Sequence, residues 1–192
     1  MSIPQNVRTF DPAMVDVIRA VLAGNTDRFA EIIAQYQSAV LTLLVVILRD
    51  RQAALEVTQD VFVRAWQRLN SFDQTRPIKP WLMGIACHAA ANYRQTRAKE
   101  VRHERQLTNC PKPMPPQENP LDVLINDERS GMLWKMINLL APGEQVAVFL
   151  FYREDLSVEQ VAHALEVSPG TVKTSLFRAR QHLRKMIQER EI

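Results

Sequence analysis

Toward the C-terminal end of the chain, polar and basic residues recur on one side of a single amphipathic segment. They are Thr171, Lys173, Thr174, Phe177, Arg178 and Gln181, with Arg180 and Arg184 on the flanks. Threonine, lysine and arginine side chains reach base edges in a duplex, and the cations also neutralise phosphates. The N-terminus of a helix starting at Pro169 would present free amides and a positive dipole end to a phosphate. A second basic run, RQTRAKEVRHER, closes the long helical pattern at residues 80–105. Both point to a polyanion as the partner.

Other chemistries lack their residues. Cys87 and Cys110 stand in no CxxC pair and at no metal-ligand spacing. His88 adjoins Cys87, but neighbours on a helix point about 100° apart and chelate poorly. Two unpaired thiols in a reducing compartment is the plain reading. There is no Gly-rich phosphate loop and no nucleophile constellation, and the carboxylates are scattered. The sequence therefore predicts no enzyme and no cofactor.

The elements that must position these residues are helical. The chain has 192 residues, 46% hydrophobic and 23% charged, with 5 glycines, so a packed core is expected and global disorder is not. Net charge is +3 and the isoelectric point about 9.1. The N-terminus has no apolar signal core. The most apolar run, residues 39–48, is shorter than the roughly 20 residues of a membrane span. It reads as a buried helix, with a buried strand as the alternative. A cytoplasmic protein without membrane insertion is expected.

Residues 108–120, TNCPKPMPPQENP, contain five prolines. Proline fixes φ and removes amide donors, so this stretch predicts an extended linker. The fold class expected is all-α: one helical domain over residues 10–105, a linker over 106–120 and a second helical domain over 121–192. In the first, Val15, Ile18, Val21 and Leu22 recur at helical spacing before Gly24. Thr26 is the expected N-cap of a helix carrying Phe29, Ile32, Ile33 and Tyr36. A third helix over 52–69 places Val57, Val61, Phe62, Ala65 and Leu69 on one side, and a loop at 70–80 leads to the fourth. In the second domain a helix over 121–140 is broken at Ala141-Pro142-Gly143. Another follows with Val146, Val148, Phe149 and Tyr152.

Residues 156–188 then read as a helix-turn-helix. Ser157 with Gln160 forms a capping box, and Leu156 with Val161 a hydrophobic staple. Val158, Val161, Ala162 and Leu165 face inward. Glu166, Val167 and Ser168 make the turn, with Ser168 as N-cap and Pro169 at the first helical position. Val172, Leu176, Ala179 and Leu183 are the buried stripe of the second helix. A short capped helix, a tight turn and a basic second helix fit the major groove; a plain antiparallel pair with solvated charges has the same pattern.

LSVEQVAHALEVSPGTVKTSLFRARQHLRKM resembles region 4 of the extracytoplasmic-function (ECF) sigma factors of the sigma-70 family, and LLAPGEQVAVFLFYRE resembles its lead-in. FAEIIAQYQSAVLTLLVVILRD and TQDVFVRAWQRLNSFD resemble region 2, and PWLMGIACHAAANYRQTRAK its promoter-melting end. The resemblance covers residues 14–188. It implies binding to core RNA polymerase through the helix of Glu56, Gln59, Asp60 and Arg64. It implies minus-10 recognition through the 70–80 loop and the helix after Trp81. Trp81, Asn92, Tyr93, Arg94, Arg97 and Lys99 are of the types that hold an unstacked base and an exposed strand, although Trp81 serves equally as core. For the duplex minus-35 element it implies Ser168, Thr171, Lys173, Thr174, Phe177, Arg178 and Arg180.

Three departures from the family pattern stand out. Glu166 occupies a position usually held by Gly, where a left-handed conformation costs about 1 kcal/mol and a shifted turn is expected. Ser175 replaces a common Arg. The acidic D-A-E-D start of the polymerase-binding helix is here Ala53-Ala54-Leu55-Glu56. Loss of two carboxylates is expected to weaken docking on a basic clamp, each exposed pair being worth about 0.2–1 kcal/mol. Phosphorylation of nearby Thr58 by a serine/threonine kinase would restore about −1.5 to −2 charges; a half-buried structural threonine is the other reading. Control by an anti-sigma factor is the alternative to a kinase. The rival function is a helix-turn-helix regulator that binds duplex DNA without polymerase.

Overall fold

The computed structural model describes residues 12–107 and 134–189, with side chains placed over 13–102 and 134–189. The proline-rich linker, Cys110 and residues 121–133 of the expected fifth helix lie outside these. Every regular element among the described residues is helical.

Helix α1 (Pro12–Leu22) ends where Gly24 adopts φ 105. The Asn25 amide reaches back to the Ala20 carbonyl and the Gly24 amide to Val21, each at 3.0 Å. This double bond requires a left-handed residue, which glycine supplies without a Cβ penalty. Thr26 is not the cap of the next helix. It opens a single 3-10 turn, Thr26–Arg28, which runs into α2 (Phe29–Leu48) with no side-chain cap. Bonds running on through that turn take up the early amides, so a hydroxyl cap has no role there.

The apolar run at 39–48 is the second half of α2. Together with the preceding turn, this helix is 23 residues long and apolar enough to cross a membrane by length and composition. Here it is packed between α1 and two further helices, α3 (Arg51–Arg68) and α4 (Ile78–Leu107). Ile32, Val40, Leu43 and Leu44 are fully buried; each large side chain contributes about 1.5–3 kcal/mol on leaving water. Arg49 closes α2 at φ 56 with its amide on Val45, and Asp50 caps α3 by accepting the Ala53 amide at 3.1 Å.

The second domain starts, within the described residues, with a helical turn at 134–137. Helix α5 (Pro142–Val148) follows, and then a five-residue π-turn, Phe149–Arg153. The π-turn was not expected; residues 146–152 read as one continuous α-helix. Its signature is the Glu154 amide donating to the Phe149 carbonyl at 3.1 Å. Buried Gln145 donates to the carbonyls of Asn138 and Leu140, both at 2.8 Å, which satisfies the helix end left open before Pro142. Helices α6 (Val158–Leu165) and α7 (Pro169–Gln188) complete the domain, with α7 packed on α5 and α6.

The two domains pack together. Trp81, Gly84, Ile85 and His88 follow helical i, i+3, i+4, i+7 spacing on α4 and border α6. A Cβ at Gly84 would lie 3.5 Å from the Ala164 Cα and 3.6 Å from its carbonyl oxygen, so the two helix backbones approach each other closely there. Lys79 on α4 bonds the carboxylate of buried Glu154 at 2.7 Å and its carbonyl at 3.0 Å. His88 Nε2 meets Glu166 at 3.0 Å, and Arg49 donates to the Asn138 carbonyl at 3.2 Å. An open cleft of about 520 Å³ lies beside this contact, between Arg68, Trp81, His163 and Val167.

Candidate nucleic-acid interface

Helix α6 is held at its start by a complete capping box: the Gln160 amide donates to Ser157 Oγ at 3.1 Å, and the Ser157 amide to the Gln160 side chain at 2.8 Å. Leu156 and Val161 are both buried, as a staple requires. Of the positions expected to face inward, Val161 and Ala162 are buried, while Val158 and Leu165 are half-buried at the edge of the core. Glu166 takes the left-handed conformation, φ 52 and ψ 42. The Val167 amide bonds Ala162 and the Glu166 amide His163, the same closure Gly24 makes on α1. The turn has therefore not shifted. The chain accepts a strained glutamate because the buried stripes on both sides fix where α7 must start.

Ser168 caps α7, accepting the Thr171 amide at 3.1 Å, and Pro169 is its first residue. Val172, Leu176 and Ala179 are buried and Leu183 half-buried. The opposite side carries Thr171, Lys173, Thr174, Phe177, Arg178 and Gln181, all exposed. Phe177 is 60% exposed, a large apolar ring held in water. The Thr171 hydroxyl lies 2.9 Å from Ser168 Oγ, and the Thr174 hydroxyl donates to the Gly170 carbonyl at 2.9 Å; both are locally engaged but keep acceptor capacity. Arg180 departs from the rest: its Nε donates to the Tyr152 hydroxyl at 2.7 Å. Half-buried Ser175 lies toward the buried stripe.

The residues expected for minus-10 contact do not form one cluster. Trp81 is half-buried, 5.0 Å from the Phe72 ring, in the stripe facing α6. Asn92 lies 11 residues further along α4, about 16 Å away. Asn92, Arg94 and Lys99 are exposed, and Arg97 pairs with Glu100 at 3.2 Å. Tyr93 is half-buried against the core, on the continuation of the buried stripe. In the preceding loop Asp73 accepts the Thr75 hydroxyl at 2.6 Å and its amide at 3.0 Å; these bonds hold its carboxyl below the usual range.

On α3, Glu56, Gln59 and Asp60 are exposed, and half-buried Arg64 bonds Asp60 at 2.8 Å. Val63 (53% exposed) and Trp66 (40%) extend this face at helical spacing. They are a missed pair, legible in retrospect as large apolar residues out of phase with the buried Ala54, Val57, Val61 and Ala65. Ala53 and Ala54 are buried and Leu55 is half-buried. One of the two missing carboxylates would thus fall inside the core, which shrinks the expected loss of surface charge. Thr58 is half-buried, and its hydroxyl donates to the Ala54 carbonyl at 2.7 Å.

A capped helix pair with an outward basic face, docked on a second helical domain, defines a DNA-binding protein of the helix-turn-helix class. Residues 32–100 match the family model Sigma-70 region 2, and residues 130–183 match Sigma-70, region 4. ECF RNA polymerase sigma factor SigW of Bacillus subtilis (strain 168) is 27% identical over 178 residues, covering 90% of this chain and 95% of its own. SigM of the same organism is 28% identical over 156 residues, covering 81% and 93%. The chain belongs to the ECF sigma factors of the sigma-70 family. Its fold resembles that of CnrH in complex with the cytosolic domain of CnrY, with TM-score 0.64 and 20% identity over 91% of this chain and 97% of that one. It also resembles the sigma factor RpoE in complex with the anti-sigma factor NepR from Bartonella quintana, with TM-score 0.65 and 20% identity over 83% and 96%.

Proposed function

We propose that this protein, acting in the cytoplasm and without enzymatic chemistry or cofactor of its own, binds core RNA polymerase and directs it to promoters. Helix α7 reads the minus-35 duplex with Thr171, Lys173, Thr174, Phe177 and Arg178, Ser168 caps it toward a phosphate, and Arg180 meets the backbone. Helix α4 and the loop before it engage the minus-10 region through Asn92, Arg94, Arg97 and Lys99, with Trp81 freed when the domains separate. The exposed face of α3, Glu56, Gln59, Asp60, Arg64, Val63 and Trp66, docks on polymerase. The observation that carries this reading is the outward face of α7, where Lys173, Phe177 and Arg178 have no protein partner among the described residues.

Minus-35 and minus-10 elements lie about 25 base pairs apart, about 85 Å at 3.4 Å per base pair. Two domains packed through α4 and α6 do not span that distance. Polymerase must therefore part them, whereas a regulator that binds duplex DNA alone needs no such parting. An anti-sigma factor is the control favoured over a kinase, because the Thr58 hydroxyl is tied to the Ala54 carbonyl inside a helix. The test is in vitro transcription with cognate core enzyme and a promoter library. Arg178→Ala should reduce promoter occupancy about 10- to 100-fold, the value of a base-edge contact. Promoter-specific duplex binding by the chain without core enzyme would replace this reading with the regulator.

A further inference from the structure

Tyr152 belongs to no expected site. The residues before it in the π-turn, Phe149 and Leu150, are fully buried, yet Tyr152 is 51% exposed. The extra residue in a π-turn changes the direction in which following side chains leave the backbone. Here it aims Tyr152 at α7. The ring stands edge-on to Phe151 at 4.9 Å and 83°, and its hydroxyl accepts from Arg180 Nε at 2.7 Å. Arg180 directly follows buried Ala179, so it leaves α7 about 100° around from the buried stripe, on the flank of the exposed face. Lys173, seven residues earlier, shares that flank about 10 Å away. Flank residues of a helix in the major groove meet the groove wall, where the phosphates lie. The Arg180 Cζ also lies over the Tyr152 ring, 5.7 Å from its centroid. Among the described residues Nε makes the guanidinium's hydrogen bond, so the N–H groups of both η nitrogens are available as a fork for phosphate oxygens.

We propose that Tyr152 is a positioning residue of the minus-35 interface: its hydroxyl holds Arg180 on the flank of α7 so that the free guanidinium edge meets the DNA backbone. The ligand is a phosphate, and the contact is independent of base sequence. The inference rests on the sigma-factor reading and adds to it a residue outside the helix-turn-helix.

The test uses holoenzyme assembled from the full chain and core polymerase, with promoter affinity measured across a range of salt. Arg180→Gln should make the negative slope of log K against log salt shallower by about 0.9, one phosphate contact. Tyr152→Phe keeps the ring and every charge; it should weaken promoter binding about three- to tenfold, the share of one hydrogen bond. In the Arg180→Gln background, Tyr152→Phe should have no further effect, whereas a merely structural Tyr152 would weaken both backgrounds equally. An unchanged salt slope in Arg180→Gln, wild-type affinity in Tyr152→Phe, or additive losses in the double variant would each overturn the proposal. Wild-type holoenzyme that selects no promoter would instead remove the sigma-factor reading, and this inference with it.

Discussion

Lys79→Met isolates the interdomain contact. Lys79 Nζ lies 2.7 Å from the Glu154 carboxylate, which is 7% exposed, and the same nitrogen donates to the Glu154 carbonyl. Methionine keeps the apolar stem and removes both bonds, leaving a carboxylate in the core without its cation. Breaking a fully buried pair costs about 3–5 kcal/mol. A single charge-assisted bond is worth about 1.5–3 kcal/mol. Lys79 is 32% exposed, so water reaches one side of the pair and the lower range applies: about 2 kcal/mol. For a chain of this size 1 kcal/mol shifts the melting temperature by about 2–4 °C, so Lys79→Met should melt about 4–8 °C below wild type. Replacing both partners, Lys79→Met with Glu154→Gln, removes the stranded charge and should recover at least half of the loss. Thermal melts of wild type, Lys79→Met, Glu154→Gln and the double variant give the coupling directly. A drop under 1 °C for Lys79→Met, or a double variant no better than the single, would refute the claim that this pair joins the domains.

Two further outcomes are expected. Ser157→Ala removes one half of the capping box that starts α6 and should cost about 1 kcal/mol, read as a 2–4 °C fall in melting temperature. Burial pushes the Cys87 thiol up from 9.0 to about 12. It should therefore resist iodoacetamide at pH 8 in the folded chain and react once urea is added. The sign of the linked pH effect follows: the folded chain keeps this proton when the unfolded chain has lost it. That contribution to stability is whole below about pH 9 and lost as pH rises toward 12, visible as a falling melting temperature that Cys87→Ala abolishes.

The elements legible in the sequence are those specified by neighbours in the chain. Ser157 and Gln160 three apart, Ser168 before Pro169, and the apolar spacing of Val172, Leu176 and Ala179 each state a local hydrogen bond or a helix face. Short-range geometry enforces them whatever the rest of the fold does. Thr26 shows where that logic stops: it is a competent cap, but a 3-10 turn from the previous loop already occupied the position. Residues 146–152 carry plain helical spacing, and nothing local marks the π-turn. It arises because Phe149 and Leu150 must both reach the core while Leu156 starts the next buried stripe, a demand set by α6 and α7.

The same division holds for the function. Composition and helix periodicity determined an all-α chain with an outward basic face on α7, because those features depend on residue type and on spacing within one helix; the resemblance to sigma region 4 is what turned that face toward DNA. Only the tertiary structure decided that α4 has a second packed face, that Trp81 and His88 lie against the helix-turn-helix domain, that Ala53 points inward, and that Tyr152 reaches Arg180. Those relations join residues far apart in the chain, from 28 positions for Tyr152 and Arg180 to 78 for His88 and Glu166. Such pairs form when helices dock and their buried surfaces find each other, and no periodicity along a single helix encodes that.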